Sequence, residues 1–207
     1  MTRAARKRRS HPPAIDIMVE SARWKAKRNT KALLQRAIAA AAAAVPTAGG
    51  EVAIVLTDDK AIRALNRDWR KKNTPTNVLS FPASEPHGAL ASEASGTSAS
   101  TRVLQRAMRG NSKSARAGHS PEAGSSAHGA DATPRLLGDI VIAYETTERE
   151  ARAEHKPFAH HLTHLAVHGF LHLVGYDHVA DDEAQAMEGL ETSILAGLGV
   201  PDPYIAR

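Results

Sequence analysis

The most informative segment of the chain is residues 168–178, which read His168-Gly169-Phe170-Leu171-His172-Leu173-Val174-Gly175-Tyr176-Asp177-His178. Two histidines four residues apart in an apolar run lie on one face of an α-helix. Gly175 stands where such a helix would end, because glycine accepts the left-handed conformation of a terminating turn. That turn can bring His178 back toward His168 and His172. The segment therefore predicts a helix, a glycine turn and a cluster of three histidines.

Three histidines on a helix and its following turn are typical of an open metal site. Three protein ligands leave one position for water or substrate, which is the arrangement of catalytic rather than structural zinc sites. The chain contains no cysteine, so a zinc site has to use His, Asp or Glu. The spacing predicts one divalent ion per chain, such as Zn²⁺, held by His168, His172 and His178.

Two other interpretations of these histidines stay open. Four more histidines precede the motif, at positions 155, 160, 161 and 164. In so histidine-rich a segment, two histidines four residues apart can occur by chance, and His168 and His172 can simply be packed helix residues. The same spacing also occurs in H-E-x-x-H-x-x-G-x-x-H, a zinc peptidase motif whose glutamate is the general base. Here Gly169 occupies that position and cannot accept a proton, which argues against a peptidase.

Composition narrows the protein class. The chain has 207 residues, no apolar run near the ~18 residues of a membrane span, and no secretory signal. We therefore expect a cytoplasmic protein with no membrane contact.

Five of the 27 basic residues lie in residues 1–10, and the other 22 equal the number of acids. Residues 1–13 are thus expected to form a disordered basic arm. It is either a nucleic-acid contact or a solvated tail, with an organellar presequence as a third, weaker interpretation.

Residues 83–135 differ from the rest of the chain. They are rich in Ala, Ser and Gly and contain no aromatic residue, so they cannot bury enough apolar surface to offset their ordering entropy. We expect a disordered insertion, which leaves residues 14–82 and 136–207 as a single catalytic domain. The predicted strands are 14–19, 51–56, 77–81 and 139–143, and the predicted helices are 30–44, 58–70, 145–154, 158–174 and 181–195. This mixture indicates a layered α+β or α/β domain.

A second group of functional candidates is Arg70, Lys71 and Lys72, which follow one another at the end of a predicted helix. Three cations at an element boundary can bind phosphate oxygens, and arginine binds them in bidentate fashion. The alternative is structural, since basic residues near a helix C-terminus favour the helix dipole.

Three segments together resemble the YbeY family of bacterial rRNA-maturation endoribonucleases. Residues 65–82 match L-N-x-x-W/Y-R-x-K-x-x-P-T-N/D-V-L-S-F-P, residues 137–142 match L-G-D-I-V-I, and residues 168–178 match H-G-x-L-H-L-x-G-Y-D-H, in the order of the family. Met187, Glu188 and Glu191 also resemble its closing helix. The long segment before Leu137 and the basic arm depart from the family pattern.

The resemblance implies an α+β fold with a mixed sheet packed against helices and a metal, usually zinc, held by His168, His172 and His178. It implies an active-site role for Arg70. It also implies a single-strand-specific endoribonuclease that acts in rRNA processing, chiefly at the 3′ end of the small-subunit RNA, and in ribosome quality control. The expected partners are ribosomal RNA and the ribosome or its small-subunit proteins. The oligomeric state is not indicated.

Other roles stay open. His164, one turn before His168, is a candidate for proton transfer or for supporting a ligand, or is a packed helix histidine. Asp139 is a candidate to orient a ligand histidine, or is structural, and Asp177 shapes the turn. Lys71 and Lys72 are candidate substrate-binding residues. The alternative function is a ribosome-assembly factor whose metal is chiefly structural.

Overall fold

The computed structural model describes residues 12–46, 49–83, 136–178 and 180–205. These residues form an α+β domain, as predicted. The elements are β1 (Ala14–Val19), a 3-10 helix (Ala22–Ala26), α1 (Thr30–Ala44), β2 (Glu51–Thr57), α2 (Asp59–Arg70), β3 (Val78–Pro82), β4 (Leu136–Ala143), α3 (Tyr144–Ala153), α4 (Phe158–Leu173) and α5 (Asp181–Gly197). Every predicted strand and helix is present within three residues of its predicted ends, and the 3-10 helix is the one addition among the described residues.

The sheet is mixed, with the strand order β1-β2-β4-β3. Strand β2 pairs in parallel with β1 and with β4. Strand β3 pairs with β4 in the antiparallel direction and forms an edge of the sheet. This edge is where the sheet meets the C-terminal half of α4, because Ser80 of β3 and Ile140 of β4 both lie next to Gly169.

Helix α4 packs against the larger apolar face of the sheet. Its Phe170 and Leu171 are fully buried together with Ile140 and Ile142 of β4. The opposite face carries a smaller cluster in which Ile62 and other apolar residues of α2 cover β4 and β3. Burying one such aliphatic or aromatic side chain stabilises the fold by roughly 1.5–3 kcal/mol, so both faces of the sheet fix the helices that carry the site candidates.

Local signals explain where the helices begin and end. Asp58 caps α2, its side chain accepting a hydrogen bond of 2.9 Å from the Ala61 N–H. Helix α1 ends at Ala44 before Pro46. At α5, Ala180 is the capping position, and both Asp181 and Asp182 lie in the first turn. Carboxylates in the first turn still favour the positive end of the helix dipole.

Gly169 sets the distance between α4 and the sheet. A Cβ added at this position would lie 3.0 Å from Ile140 Cγ2 and 3.1 Å from Ser80 Oγ. Ser80 Oγ donates a hydrogen bond of 3.1 Å to the Gly169 carbonyl. The absent side chain therefore allows a close contact of helix and strand beside His168.

The predicted basic arm, apart from residues 12 and 13, and the predicted insertion, apart from residue 83, lie outside the described residues. The described residues on either side of positions 84–135 are paired, since Pro82 pairs with Gly138 and the Ala83 N–H donates to the Leu137 carbonyl at 3.0 Å. Within the described part of the chain, no helix is long and apolar enough to cross a membrane.

Candidate metal centre and active-site cleft

Helix α4 and the turn after it bring three histidine rings together. His168 and His172 are one turn apart on α4, with ring centroids at 4.6 Å. Gly175 has a φ of 94° and ends the helix, as its position in the sequence predicts. The chain then returns, and the His178 ring lies 5.0 Å from that of His172 and 5.6 Å from that of His168. One ring nitrogen from each histidine lies within 4.8 Å of the other two.

Hydrogen bonds fix the tautomers of two of these histidines. His172 Nδ1 lies 3.0 Å from the Tyr176 carbonyl oxygen, which can only accept. His168 Nδ1 lies 2.7 Å from Glu191 Oε1, and an ionised carboxylate also only accepts. Each Nδ1 is therefore the donor in its bond. In the neutral ring the other nitrogen, Nε2, is then an acceptor that can bind a cation.

Glu191 is a buried carboxylate behind the histidine cluster. It comes from α5 and its side chain has no exposed surface. Burial by itself raises the pKa of Glu191, but hydrogen bonds from His164, His168 and Tyr204 outweigh this and lower it to about 2. A carboxylate that orients a histidine through its second nitrogen is the usual partner of a metal-binding imidazole.

The arrangement of donors fits a metal ion. The Nε2 atoms of His168 and His172 lie only 3.1 Å apart, close to the ~3.3 Å that separates two nitrogens at ~2.05 Å from a tetrahedral zinc. Two unprotonated nitrogens this close repel each other, and a shared cation removes that repulsion. Burial and the neighbouring His168 and His178 lower the pKa of His172, which favours the unprotonated ring that metals bind. The cluster can hold a metal.

His164 does not line the cleft beside this cluster. Its Nε2 lies 3.2 Å from Glu191 Oε2, one helical turn behind His168. Of the roles that the sequence left open for it, this position favours support of the Glu191 carboxylate over direct proton transfer. A second group of possible ligands consists of His164, His168 and Glu191. Its members are joined by hydrogen bonds through Glu191, which holds His168 of the first group in place.

The candidate orienting role of Asp139 is a wrong expectation. No described residue forms a hydrogen bond with either of its carboxylate oxygens, although the side chain is buried. Successive strand residues face opposite sides of a sheet, and Ile140 is the residue that contacts Gly169 of α4. The Asp139 side chain therefore faces α2, on the same side of the sheet as Val141. The carboxylate that contacts a histidine of the cluster is that of Glu191. Burial raises the pKa of Asp139 to about 7.

A cleft of about 790 Å³ opens in front of the histidine cluster. Arg70 lies on its wall, at the end of α2, and no described residue pairs with its guanidinium. Lys71 and Lys72 are exposed and do not line the cleft. Lys71 is the C-cap of α2, with a φ of 61°, and its Nζ donates to the Asp68 carbonyl at 2.9 Å. The structure thus brings Arg70, and neither lysine, together with the histidines.

The cleft wall also contains a hydrogen-bonded unit that sequence reasoning missed. Asn77 lines the cleft, and its side-chain amide donates to Glu150 Oε2 of α3 at 2.8 Å. The same oxygen accepts from His161 Nε2 of α4 at 3.0 Å. Burial alone raises the pKa of Glu150, but these bonds from His161 and Asn77 hold it below its usual range. No spacing in the sequence predicts this unit, because its members come from α3, α4 and the residue before β3.

The family model described as Endoribonuclease YbeY matches residues 16–199 of the chain. The chain belongs to the YbeY family. It is 47% identical over 202 residues to Endoribonuclease YbeY of Bradyrhizobium diazoefficiens, covering 96% of this chain and 90% of that protein. It is also 47% identical to Endoribonuclease YbeY of Rhodopseudomonas palustris strain BisA53, covering 93% of this chain and 91% of the other.

A solved structure is also similar, though more distantly. The solution structure of a Thermotoga maritima protein covers 92% of this chain and 99% of its own, with a TM-score of 0.44 and 19% sequence identity. The YbeY assignment rests on the sequence matches, which span the described domain and extend across the 84–135 segment.

Proposed function

We propose that this YbeY-family chain is a zinc-dependent endoribonuclease that cuts single-stranded RNA in the maturation of ribosomal RNA. Endoribonuclease activity follows from its family and from relatives that carry that name at 47% identity. The observation that carries the proposal is the position of the histidine cluster. His168, His172 and His178 converge on the same cleft whose wall holds Arg70.

The donor set favours zinc over Mg²⁺ and Ca²⁺. His168, His172 and His178 offer three imidazoles, and imidazole suits zinc and other transition metals better than it suits Mg²⁺ or Ca²⁺, which select oxygen ligands. When bound there, the ion supplies Lewis acidity toward a phosphate oxygen and makes a water more acidic. Three ligands leave a position open to the cleft, as catalytic sites require.

The remaining groups act on the substrate or hold the site in place. The Arg70 guanidinium can bind a phosphate in bidentate fashion and stabilise the negative charge that develops on its oxygens. Glu191 and the Tyr176 carbonyl keep the Nδ1 protons of His168 and His172 away from the cleft. His164 holds Glu191 in place through a hydrogen bond to its second carboxylate oxygen, Oε2. We assign no general base to a described residue.

The cellular setting that fits this activity is the bacterial cytoplasm, with ribosomal RNA as the substrate and the ribosome or small-subunit proteins as partners. Cleavage at the 3′ end of the small-subunit RNA and ribosome quality control are the finer roles that the family resemblance implies. An assembly factor with a structural metal is not favoured, because a structural site is closed by four protein ligands whereas this cluster has three and opens onto a large cleft.

The deciding experiment measures cleavage by purified protein reconstituted with zinc, on a single-stranded RNA and on the same RNA annealed to its complement. We expect cleavage of the single strand, little cleavage of the duplex, and loss of activity in His172→Ala. A metal-loaded, folded protein that leaves both RNAs intact contradicts the nuclease and favours the assembly factor.

A further inference from the structure

The residues after α5 fold back onto the helices that carry the metal-site candidates. The Val200 N–H donates to a carbonyl of α5 at 2.9 Å, and the Val200 side chain is buried in the larger core cluster. Further along, the Pro203 carbonyl accepts a hydrogen bond of 2.9 Å from Lys156 Nζ, just before α4. We call residues 198–205 the C-terminal segment. It is thus held to α5 and to the start of α4.

Tyr204, in the C-terminal segment, reaches the carboxylate of Glu191. Its hydroxyl donates to Glu191 Oε2, because an ionised carboxylate only accepts. Its ring meets the His164 ring edge-on, with the centroids 5.8 Å apart and an interplanar angle of 80°. The Tyr204 backbone N–H donates to Asp202 Oδ1 at 2.9 Å. Tyr204 is 44% exposed, whereas the Glu191 side chain has no exposed surface. The hydroxyl therefore lies at the buried end of a ring that is partly open to solvent.

The hydrogen bonds that Glu191 accepts from described residues are divided unequally between its two oxygens. Oε1 accepts from His168 Nδ1 at 2.7 Å, and Oε2 accepts from the Tyr204 hydroxyl and from His164 Nε2 at 3.2 Å. The terminal torsion of a glutamate side chain is broad, so these hydrogen bonds set the orientation of the carboxylate. Without the Tyr204 hydroxyl, Oε2 would keep only the longer bond from His164. The carboxylate would then be less firmly directed at His168.

We propose that Tyr204 is a positioning residue of the metal site. Its hydroxyl holds the Glu191 carboxylate in the orientation that fixes His168, so docking of the C-terminal segment strengthens zinc binding. The inference rests on the proposed zinc site. Tyr204 lies beyond residues 16–199, which the family model matches, so the family assignment gives this residue no role by itself. It is not among the described residues that line the cleft, and it acts through Glu191.

The first test compares two tyrosines that each donate to a carboxylate. Tyr204→Phe removes the hydroxyl and keeps the ring against His164. Tyr144→Phe is the matched control, because it removes a hydroxyl that donates to Glu148 Oε1 at 3.0 Å within α3. The zinc dissociation constant of each full chain is measured by competition with a chelator. We expect Tyr204→Phe to weaken zinc binding about 3- to 10-fold, less than the ~10- to 100-fold typical of losing the direct partner of a ligand. Tyr144→Phe should match the wild type.

The second test asks whether Tyr204 acts through Glu191. In a chain that already carries Glu191→Gln, adding Tyr204→Phe should change the zinc affinity by less than about 2-fold, because effects that pass through one contact are not additive. At saturating zinc, the NMR signal of the His168 Nδ1 proton should broaden in Tyr204→Phe through faster exchange with water. The signal of the His172 Nδ1 proton, which is bonded to the Tyr176 carbonyl, should not change.

A third measurement uses the wild type alone. If docking of the C-terminal segment strengthens zinc binding, zinc must strengthen the docking by the same factor. We therefore expect hydrogen exchange of the Tyr204 N–H to slow by at least about 3-fold when zinc is added. The Ala61 N–H is the control, because it also donates to an aspartate, Asp58, but belongs to α2. Its exchange rate should not respond to zinc.

The results separate the role of Tyr204 from the proposed nuclease. Wild-type zinc affinity together with an unchanged His168 signal in Tyr204→Phe overturns the positioning role. An equal loss of affinity with and without Glu191→Gln also overturns it, because the hydroxyl would then act by another route. If Tyr204→Phe does not fold, an exchange rate of the Tyr204 N–H that does not respond to zinc overturns the role. Zinc affinity is measured without RNA, so a chain that shows every expected zinc effect and cuts no RNA contradicts the nuclease alone.

Discussion

Glu191 Oε1 lies 2.7 Å from His168 Nδ1, and this contact joins two helices through a carboxylate with no exposed surface. The residues are 23 positions apart in the sequence and belong to α5 and α4. The contact sets which nitrogen of His168 carries a proton and holds the ring with its Nε2 toward His172. The three-histidine cluster thus depends on a residue that lies outside its own motif.

Removing the charge of Glu191 should weaken metal binding. In Glu191→Gln the amide offers a weaker and partly mismatched partner to His168 Nδ1, and losing such a partner typically costs 10- to 100-fold in metal affinity. The zinc dissociation constant is measured by competition with a chelator. Glu188→Gln, an exposed residue one turn earlier on α5, is the control and should match the wild type. Unchanged zinc affinity in Glu191→Gln contradicts the orienting role.

The histidine cluster itself is tested by metal content. We expect one zinc per chain in the wild type and almost none in the double variant His172→Ala and His178→Ala, because a single remaining imidazole cannot hold the ion. Elemental analysis after dialysis gives the ratio. His160→Ala removes a histidine of the same helix that lies outside the cluster and should keep its zinc. A double variant that retains one zinc per chain rejects these ligands.

Arg70 should affect the rate of cleavage and not the metal. If its guanidinium stabilises charge in the transition state, Arg70→Ala should lower the single-turnover rate ~100- to 1000-fold. Arg70→Lys should recover part of the rate, since it keeps the charge and loses the bidentate geometry. Lys60→Ala, at the other end of α2, serves as the control. The catalytic assignment fails if Arg70→Ala changes only affinity or releases the zinc.

Asp139 should make the stability of the fold depend on pH. Burial raises its pKa to about 7 in the folded chain, from an ordinary value near 4. Between these values the folded state keeps a proton that the unfolded state has lost, so stability falls as the pH rises through this range and stays low above it. The full effect is at most about 4 kcal/mol, since one pKa unit corresponds to 1.36 kcal/mol.

Asp139→Asn should remove this fall. Urea unfolding at several pH values from 4 to 8 gives the difference in unfolding free energy between the variant and the wild type. We expect that difference to move in favour of the variant as the pH rises. Asp16→Asn changes an exposed aspartate of the same sheet and should keep the wild-type profile. Parallel profiles for wild type and Asp139→Asn show that the buried carboxyl does not titrate in this range.

The 84–135 segment should be dispensable for folding. On either side of it, Pro82 pairs with Gly138, so a short turn can join β3 to β4 as an antiparallel hairpin. We expect a chain with residues 84–135 replaced by a short glycine-containing turn to unfold cooperatively near the wild-type melting temperature. Calorimetry or circular dichroism follows the transition. A molten or insoluble product shows that the segment belongs to the domain.

The sequence predicted the parts of the site that are local. The spacing of His168, His172 and His178 around Gly175 predicts a helix followed by a turn. Both are determined by residues within one short segment. The partner of His168 was not predictable in the same way, because Glu191 reaches it only through the packing of α5 on α4. The expected orienting role of Asp139 was wrong because side chains alternate between the two faces of a strand. Ile140 faces α4, so the Asp139 side chain next to it faces the other side of the sheet.

The arrangement at Gly169 also bears on how this chemistry is separated from that of the peptidases with the same histidine spacing. A glutamate at this position would need to place its first side-chain carbon 3.0 Å from Ile140 and 3.1 Å from Ser80. Those neighbours belong to two paired strands of a close-packed core, which yields little. A glutamate here would therefore first have to displace both side chains by a few tenths of an ångström, so the residue that supplies the peptidase base would disturb the contact that seats His168 against the sheet.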